Sequence, residues 1–482
     1  MNGLSKIQSK IKELSNKQAL KAGMGYTIGN YFLKGIGFIT VPLFARLMTQ
    51  EDFGYYNTFM AYEGILYLFI SLALHVSLKN AQYDYKDSLD KYTSSISLIP
   101  ILMLGIFFVI FNTFPVLANR IFDLDRLQMN MLLVYCYSSG MLIYYQNRLA
   151  LDYKYKEYLK LSYINTFINL SLSIGLMLTV FSSARYMARI VGSVVALFVI
   201  LVYLLIRLWK KARPQVCLEY WKYGLKLSIP IIPHGIGQVV LLSFDRIMIS
   251  RYVGAKEAGI YSFAYTIFTI VQITANSIST VFEPWAYKEL NGGNENKLKI
   301  RATQFYYLMC GISIAVIAIA PELILLLGSK KYANSIYCVI PVLVGGFFSM
   351  AYTIPSVLTY YYKKTQYIAL GTAGAAILNV ILNAIFIKKY GYIAAAYTTL
   401  VCYVIYFTYH YFIAYKVSGI KLIKVTHVFI GGMVLMLTSV LTFLTLKMPY
   451  VRYGIVAVAI LMAAFLLVKH KGGESINDIF RG

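Results

Sequence analysis

The sequence predicts an all-α membrane protein, and three observations carry that expectation. Of its 482 residues, 59% are hydrophobic and only 13% charged, against about 45–50% and about 25% in soluble domains. The apolar residues are gathered into runs near the roughly 20 residues that cross a bilayer as a helix. About 14 such helices with short connections use up most of the length, which leaves no room for a soluble domain of ordinary size.

Taken in order, the first 21 residues are polar and basic (Lys6, Lys10, Lys12, Lys17, Lys21). No short apolar stretch with a small-residue cleavage site follows them, so this segment is expected to stay attached. Apolar runs and their breakers then predict helices over 22–48, 53–78, 94–117, 127–150, 159–181 and 186–208. After a basic linker, 209–221, the second half predicts helices over 222–250, 257–283, 300–327, 332–361, 366–387 and 391–415. Two extra helices fall within 424–468, near 424–446 and 452–468, and a tail, 469–482, closes the chain. The expected bodies are therefore a six-helix bundle over 22–208, a second over 222–416, and the two extra helices.

Lysine and arginine counts in alternating connections set the orientation. With the N-terminus in the cytoplasm, the inner segments hold 30 Lys and Arg and the outer turns 13, while Lys34 and Arg246 stay inside spans. Both termini are expected to be cytoplasmic and the helix number even. The same bias accounts for most of the formal charge of +25, so the basicity calls for no nucleic-acid partner.

Several chemistries find no support. No G-x-x-x-x-G-K-[ST] phosphate loop is present. The five cysteines have no C-x-x-C spacing and read as small core hydrophobes. The five histidines form no ligand pair, so neither a metal site nor a cofactor is expected. The outer connections are little more than helix turns, which counts against a membrane glycosyltransferase or polymerase, and no catalytic residue is assigned.

Shifting the sequence by 205 residues gives a weak self-match. Arg46, Gly54 and Tyr56 fall on Arg251, Gly259 and Tyr261, and an acid is kept near Asp52 and Glu257. Thr49-x-x-Asp52 fits a capping box, and Gly254-x-x-Glu257 places an acceptable N-cap three residues before an acid. Two copies in parallel order imply two six-helix bundles facing one another, with a substrate path at the repeat interface.

The run from Pro42 through Arg46, Thr49, Glu51, Asp52, Gly54 and Tyr56 resembles the first-hairpin signature of bacterial polysaccharide flippases. Asp245-Arg246-Ile-Met, Gly254 and Ala258-Gly259-Ile260-Tyr261-Ser262 resemble the same family's seventh and eighth helices, and Gly391-Tyr-Ile-Ala394-Ala395-Ala396 is similar to its turn before helix 12, with Ala394 in place of the usual Gly. Together these cover about residues 20–410 in order. The family is the Wzx-type, polysaccharide-transport branch of the multidrug/oligosaccharidyl-lipid/polysaccharide exporters. The resemblance implies two pseudo-symmetric bundles around a central cavity in the bacterial cytoplasmic (inner) membrane. It also implies alternating-access transfer of an undecaprenyl-pyrophosphate-linked oligosaccharide from the inner to the outer leaflet, for O-antigen, capsule or other exopolysaccharide. Polymerase and chain-length components of the same pathway are the partners it suggests. Export of a peptidoglycan precursor or a drug, or a lipid-linked glycosyltransferase or polymerase, remain as alternatives.

A charged side chain at mid-membrane costs on the order of 3 kcal/mol or more and usually faces a cavity or a partner. A flippase of this type needs a cationic lumen, and the forked donors of Arg suit phosphate. Lys34, Arg46, Arg246 and Arg251 are accordingly the candidates for the anionic headgroup. Glu63, Asp245, Glu283 and His234 are candidates for ion coupling or for structural pairing. Asp245 and Arg246 are also open to an ion pair with another helix, and Arg46 and Arg251 to snorkelling. Pro42 in the first span and Pro230 and Pro233 in the seventh kink equivalent helices and are the hinge candidates, with static bends as the alternative.

Overall fold

The computed structural model describes residues 25–469 other than 27, 30, 31, 34 and 38. The described residues are helical almost throughout, with no strand among them. Ten of their helices are long and apolar enough to cross a membrane, eleven if one bent pair counts as a single span. The chain is thus an all-α, multi-pass membrane protein. It divides into two compact units, Met1–Val239 and Val240–Gly482. The division falls within the seventh predicted span and not in the linker 209–221, because the first half of that span packs on the first bundle.

The first unit comprises α1 (Gly35–Leu47), α2 (Gln50–Ser71), α3 (Leu78–Asp84), α4 (Leu89–Ile96), α5 (Leu98–Thr113), α6 (Pro115–Phe122), α7 (Arg126–Leu151), α8 (Tyr155–Leu178), α9 (Arg185–Lys211), α10 (Leu218–Ser228) and α11 (Ile232–Val239). The capping box expected at Thr49 forms: its hydroxyl accepts from the Asp52 N–H at 3.0 Å, and the Asp52 carboxylate accepts from the Thr49 N–H at 3.2 Å. The same carboxylate accepts the Tyr186 N–H at 3.2 Å, so one side chain caps α2 and holds the first turn of α9. The second predicted span breaks where no Gly or Pro warns of it. Leu72 and Ala73 both take positive φ (47° and 49°), and the chain bends by 60° into α3.

Packing within this unit relies on close backbone approach. At Gly192 of α9 a Cβ would lie 2.8 Å from the Ser173 amide nitrogen of α8, so only glycine lets these two helices meet so closely. At one end of the unit the buried Arg148 pairs with Asp90 at 3.2 Å and with Asp152. Burial alone would raise the Asp152 carboxyl, but Arg148 and Lys154 more than reverse this and hold it below its ordinary range. Pro230 lies in a tight turn, Ile229–Ile231, between α10 and α11, and Pro233 in the first turn of α11, where a missing N–H costs no helical bond.

The second unit opens with a π-helical turn, Val240–Phe244. It continues with α12 (Asp245–Tyr252), α13 (Ala255–Asn291), α14 (Glu295–Ala318), α15 (Ala320–Gly328), α16 (Ile336–Ala351), α17 (Thr353–Tyr361), α18 (Thr365–Tyr390), α19 (Tyr392–Ser418), α20 (Val425–Leu444) and α21 (Pro449–Lys469). With 37 residues, α13 is about 55 Å long and outreaches the roughly 30 Å hydrocarbon core. At Gly345 of α16 a Cβ would lie 3.0 Å from the Leu400 Cα, so α16 and α19 pack tightly. The last two helices pack on α14. Arg452, 2% exposed, anchors α21 by donating to the Glu322 carboxylate and the Thr445 carbonyl.

Candidate functional site

Each unit buries several polar side chains. In the second unit the centre is Asp245, 1% exposed at the start of α12. Its Oδ2 accepts from the Tyr261 hydroxyl at 2.6 Å, the Thr399 hydroxyl at 2.9 Å and the Tyr265 hydroxyl at 3.4 Å. Its Oδ1 accepts from the Asn383 amide at 2.6 Å. Further hydrogen bonds fix these donors. Asn383 also donates to Asn379 Oδ1 at 3.1 Å, Asn379 donates to Thr399 at 3.0 Å, and Thr398 donates to Asn383 Oδ1. A carboxylate taken out of water is costly unless its oxygens are met by donors. Here α13, α18 and α19 meet both oxygens.

Arg246 follows in sequence but points elsewhere. Its guanidinium donates to Ser243 at 3.0 Å and lies 4.7 Å over the Tyr265 ring, with no ion pair to Asp245. Its Nε is buried without a hydrogen-bond partner. The cluster thus offers several oxygens from Asp245, Asn379, Asn383, Thr398, Thr399 and Tyr261, a donor set suited to a proton or a monovalent cation. Among the described residues no group of three or more His, Cys, Asp and Glu converges.

The first unit holds Glu63 midway along α2, half-buried, with its carboxylate accepting from Ser139 of α7 at 2.6 Å. Separately, Arg189 of α9 is set in a cradle. Its guanidinium lies 3.7 Å over Phe44 and 5.0 Å over Tyr56, and Nη1 donates to Asn169 at 2.5 Å and to Ser173 at 3.2 Å. Asn169 is held in turn by donating to Ser193 at 3.1 Å. No carboxylate pairs with Arg189 among the described residues, and all its hydrogen bonds run through Nη1. Its remaining donors are available to an anion in the forked geometry that suits phosphate.

The other sequence candidates stand outside these groups. Lys34 lies outside the described residues. Arg46 at the end of α1 and Arg251 in the last turn of α12 are exposed. Glu283 is exposed on α13 and accepts from Tyr287 at 3.2 Å. His234 on α11 is half-buried, and its Nδ1 lacks a hydrogen-bond partner. Sequence reasoning missed Arg189, counted as an outer-turn residue, and the Asn and Thr partners of Asp245. For the latter a signal existed: Asn379 and Asn383 stand one helical turn apart in an otherwise apolar run.

The fold matches solved transporters over most of the chain. The lipid II flippase MurJ, in an inward closed conformation, superposes with a TM-score of 0.72 at 18% identity, over 92% of this chain and 98% of that one. An inward-facing multidrug resistance MATE family transporter of the MOP superfamily gives 0.60 at 11% identity, over 80% and 99%. An outward-facing one gives 0.56 at 12%, over 83% and 96%. A comparison with curated proteins finds no match. The sequence model described as polysaccharide biosynthesis protein matches residues 20–288, more than half of the chain. With that match, the chain belongs to the polysaccharide biosynthesis protein family, on a fold shared with these transporters.

Proposed function

We propose that this protein is a non-enzymatic flippase in the bacterial cytoplasmic membrane. It moves an undecaprenyl-pyrophosphate-linked oligosaccharide repeat unit from the inner to the outer leaflet by alternating access, in O-antigen, capsule or other exopolysaccharide synthesis. The observation that supports it most is the conjunction of a polysaccharide-biosynthesis sequence with the fold of a lipid-carrier flippase along 92% of the chain. In this reading Arg189, with Lys34, Arg46, Arg246 and Arg251, receives the pyrophosphate. Asp245 is the ion-coupling group, with Glu63, Glu283 and His234 as further candidates, and Pro42, Pro230 and Pro233 are hinges. Polymerase and chain-length components then act on the product.

A second reading, export of a peptidoglycan precursor, is favoured by the likeness to a lipid II flippase. A lipid analysis of cells lacking the protein, with polymerisation recorded alongside, separates them. Build-up of complete lipid-linked oligosaccharide on the inner leaflet supports the first reading. Build-up of lipid-linked peptidoglycan precursor supports the second, and normal intermediates with lost polymer point to a later step and sink both.

A further inference from the structure

Beside the turn at Gly391, α18 and α19 leave a groove between them. It has a volume of about 540 Å³ and runs between Leu382, Phe386 and Tyr390 of α18 and Ala394, Tyr397 and Val401 of α19, about 12 Å along each helix. Ligand sites usually occupy about 300–1,000 Å³. The Phe386 and Tyr390 rings stack along one wall at 6.0 Å. Tyr390, Tyr397 and Val401 are 47–60% exposed, so the groove is open along its length. Both helices are long and apolar enough to cross a membrane, and the mouth therefore opens towards lipid.

The lining and the rim differ in chemistry. Apart from two tyrosine hydroxyls the walls are apolar, and the buried Thr398 on the floor already spends its hydroxyl on Asn383 Oδ1 and on the Ala395 carbonyl at 3.0 Å. A sugar or a peptide lying here would leave its own polar groups unpaired, whereas a hydrocarbon chain leaves none. At the Gly391 end the rim is positive. The Lys389 ammonium lies 5.1 Å from the centre of the Tyr390 ring, itself part of the wall, and the Lys388 ammonium 4.7 Å from that of Tyr252 of α12. Both lysines are exposed, and among the described residues neither is paired with a carboxylate. An apolar slot with uncompensated positive charge at its end is complementary to a molecule with a hydrocarbon chain and an anionic head.

We propose that this groove binds one anionic phospholipid, with an acyl chain between α18 and α19 and its phosphate held by Lys389 and Lys388. The site needs nothing from the transported substrate and stands whether or not the protein is a flippase. It lies against the Asp245 cluster without being part of it. The Thr398 hydroxyl on the groove floor donates to Asn383, and the Asn383 amide donates to Asp245 at 2.6 Å. A chain in the groove packs on Thr398 and so supports the amide that serves the buried carboxylate.

The test is native mass spectrometry of the full chain released from detergent and titrated with dioleoyl phosphatidylglycerol or dioleoyl phosphatidylcholine, which share their chains and differ in net charge. The wild type binds one phosphatidylglycerol at least tenfold more tightly than phosphatidylcholine. Lys388→Gln combined with Lys389→Gln, at two exposed positions that leave the packing intact, removes that preference. Ala394→Phe fills the groove and weakens binding of both lipids at least tenfold. Lys363→Gln combined with Lys364→Gln removes the same charge from the exposed turn before α18 and changes neither affinity. Equal binding of the two lipids by the wild type overturns the proposal, as does a double Lys388 and Lys389 variant that keeps the wild-type preference, or a folded Ala394→Phe that binds phosphatidylglycerol as the wild type does. A second copy of the chain bound in place of lipid, and lost in Ala394→Phe, assigns the groove to a protein partner and overturns it as well.

Discussion

If Asp245 is ionised when the protein is at rest, its bond to Asn383 is charge-assisted, and a double-mutant cycle measures that directly. Asn383→Leu keeps the volume of the side chain and removes the amide 2.6 Å from Asp245 Oδ1. Tyr261 and Thr399 still serve Oδ2, so Oδ1 is stripped of its one strong donor. Hydrogen bonds to charged groups contribute about 1.5–3 kcal/mol, against about 0.5–1.5 kcal/mol for neutral pairs. Asn383→Leu is therefore expected to cost about 2–3 kcal/mol in the wild type. In an Asp245→Asn background the charge is gone, and the same change costs about 1 kcal/mol. The difference, about 1.5 kcal/mol, is the coupling energy of the pair. Unfolding of the purified protein in detergent, followed by intrinsic fluorescence, reads all four corners of the cycle. A coupling below about 0.5 kcal/mol would mean instead that Asp245 carries its proton at rest.

Four further outcomes follow from other sites. Arg189→Lys keeps the charge but loses the fork and its cradle, so transport falls at least tenfold at near-normal abundance, and so does transport by Arg251→Glu; complementation of a deletion strain scores both, and wild-type transport by a folded variant removes that residue from the headgroup site. Arg452→Met strips the Glu322 carboxylate of its buried partner, at a cost of about 3 kcal/mol, seen as a lowered melting temperature; an unchanged value would show that α21 is held without the pair. Asp152 is held below its ordinary value of 3.8 by Arg148 and Lys154, so its contribution is complete above that value and is lost as pH falls through the lower folded one. Asp152→Asn should thus destabilise at pH 6 and converge on the wild type at pH 2–3, and a constant offset across that range contradicts the assignment.

Much of the fold was legible because bilayer helices follow from local composition. Apolar runs of spanning length and the Thr49–Asp52 cap each depend on residues close in sequence, and the cap forms as expected. The break after Ser71 was not legible, since Leu72 and Ala73 are not residues that signal positive φ. Nor was the π-helical turn before Asp245, because a one-residue change of register leaves no mark in an apolar run. The sites divide in the same way. Asp245 and Glu63 stand out as lone acids in spans, but the Asp245 partners Asn383 and Thr399 lie 138 and 154 residues away. Arg189 was misread because charge counting assigns a residue to a connection by its distance from a helix end, whereas its role depends on which rings and amides face it.

The length of α13 has a use as an instrument. Lys256 and Asn291, near its two ends, are both exposed and stand about 52 Å apart along the rise of an α-helix. Over that length a tilt of about 10° displaces the far tip by about 9 Å, well above what paired spin labels or single-molecule dyes resolve. A label at Asn291, read against a fixed probe elsewhere in the second unit, would turn a small rocking of the transmembrane part into a large signal outside it. The transport cycle could then be timed from one helix, without a labelled substrate.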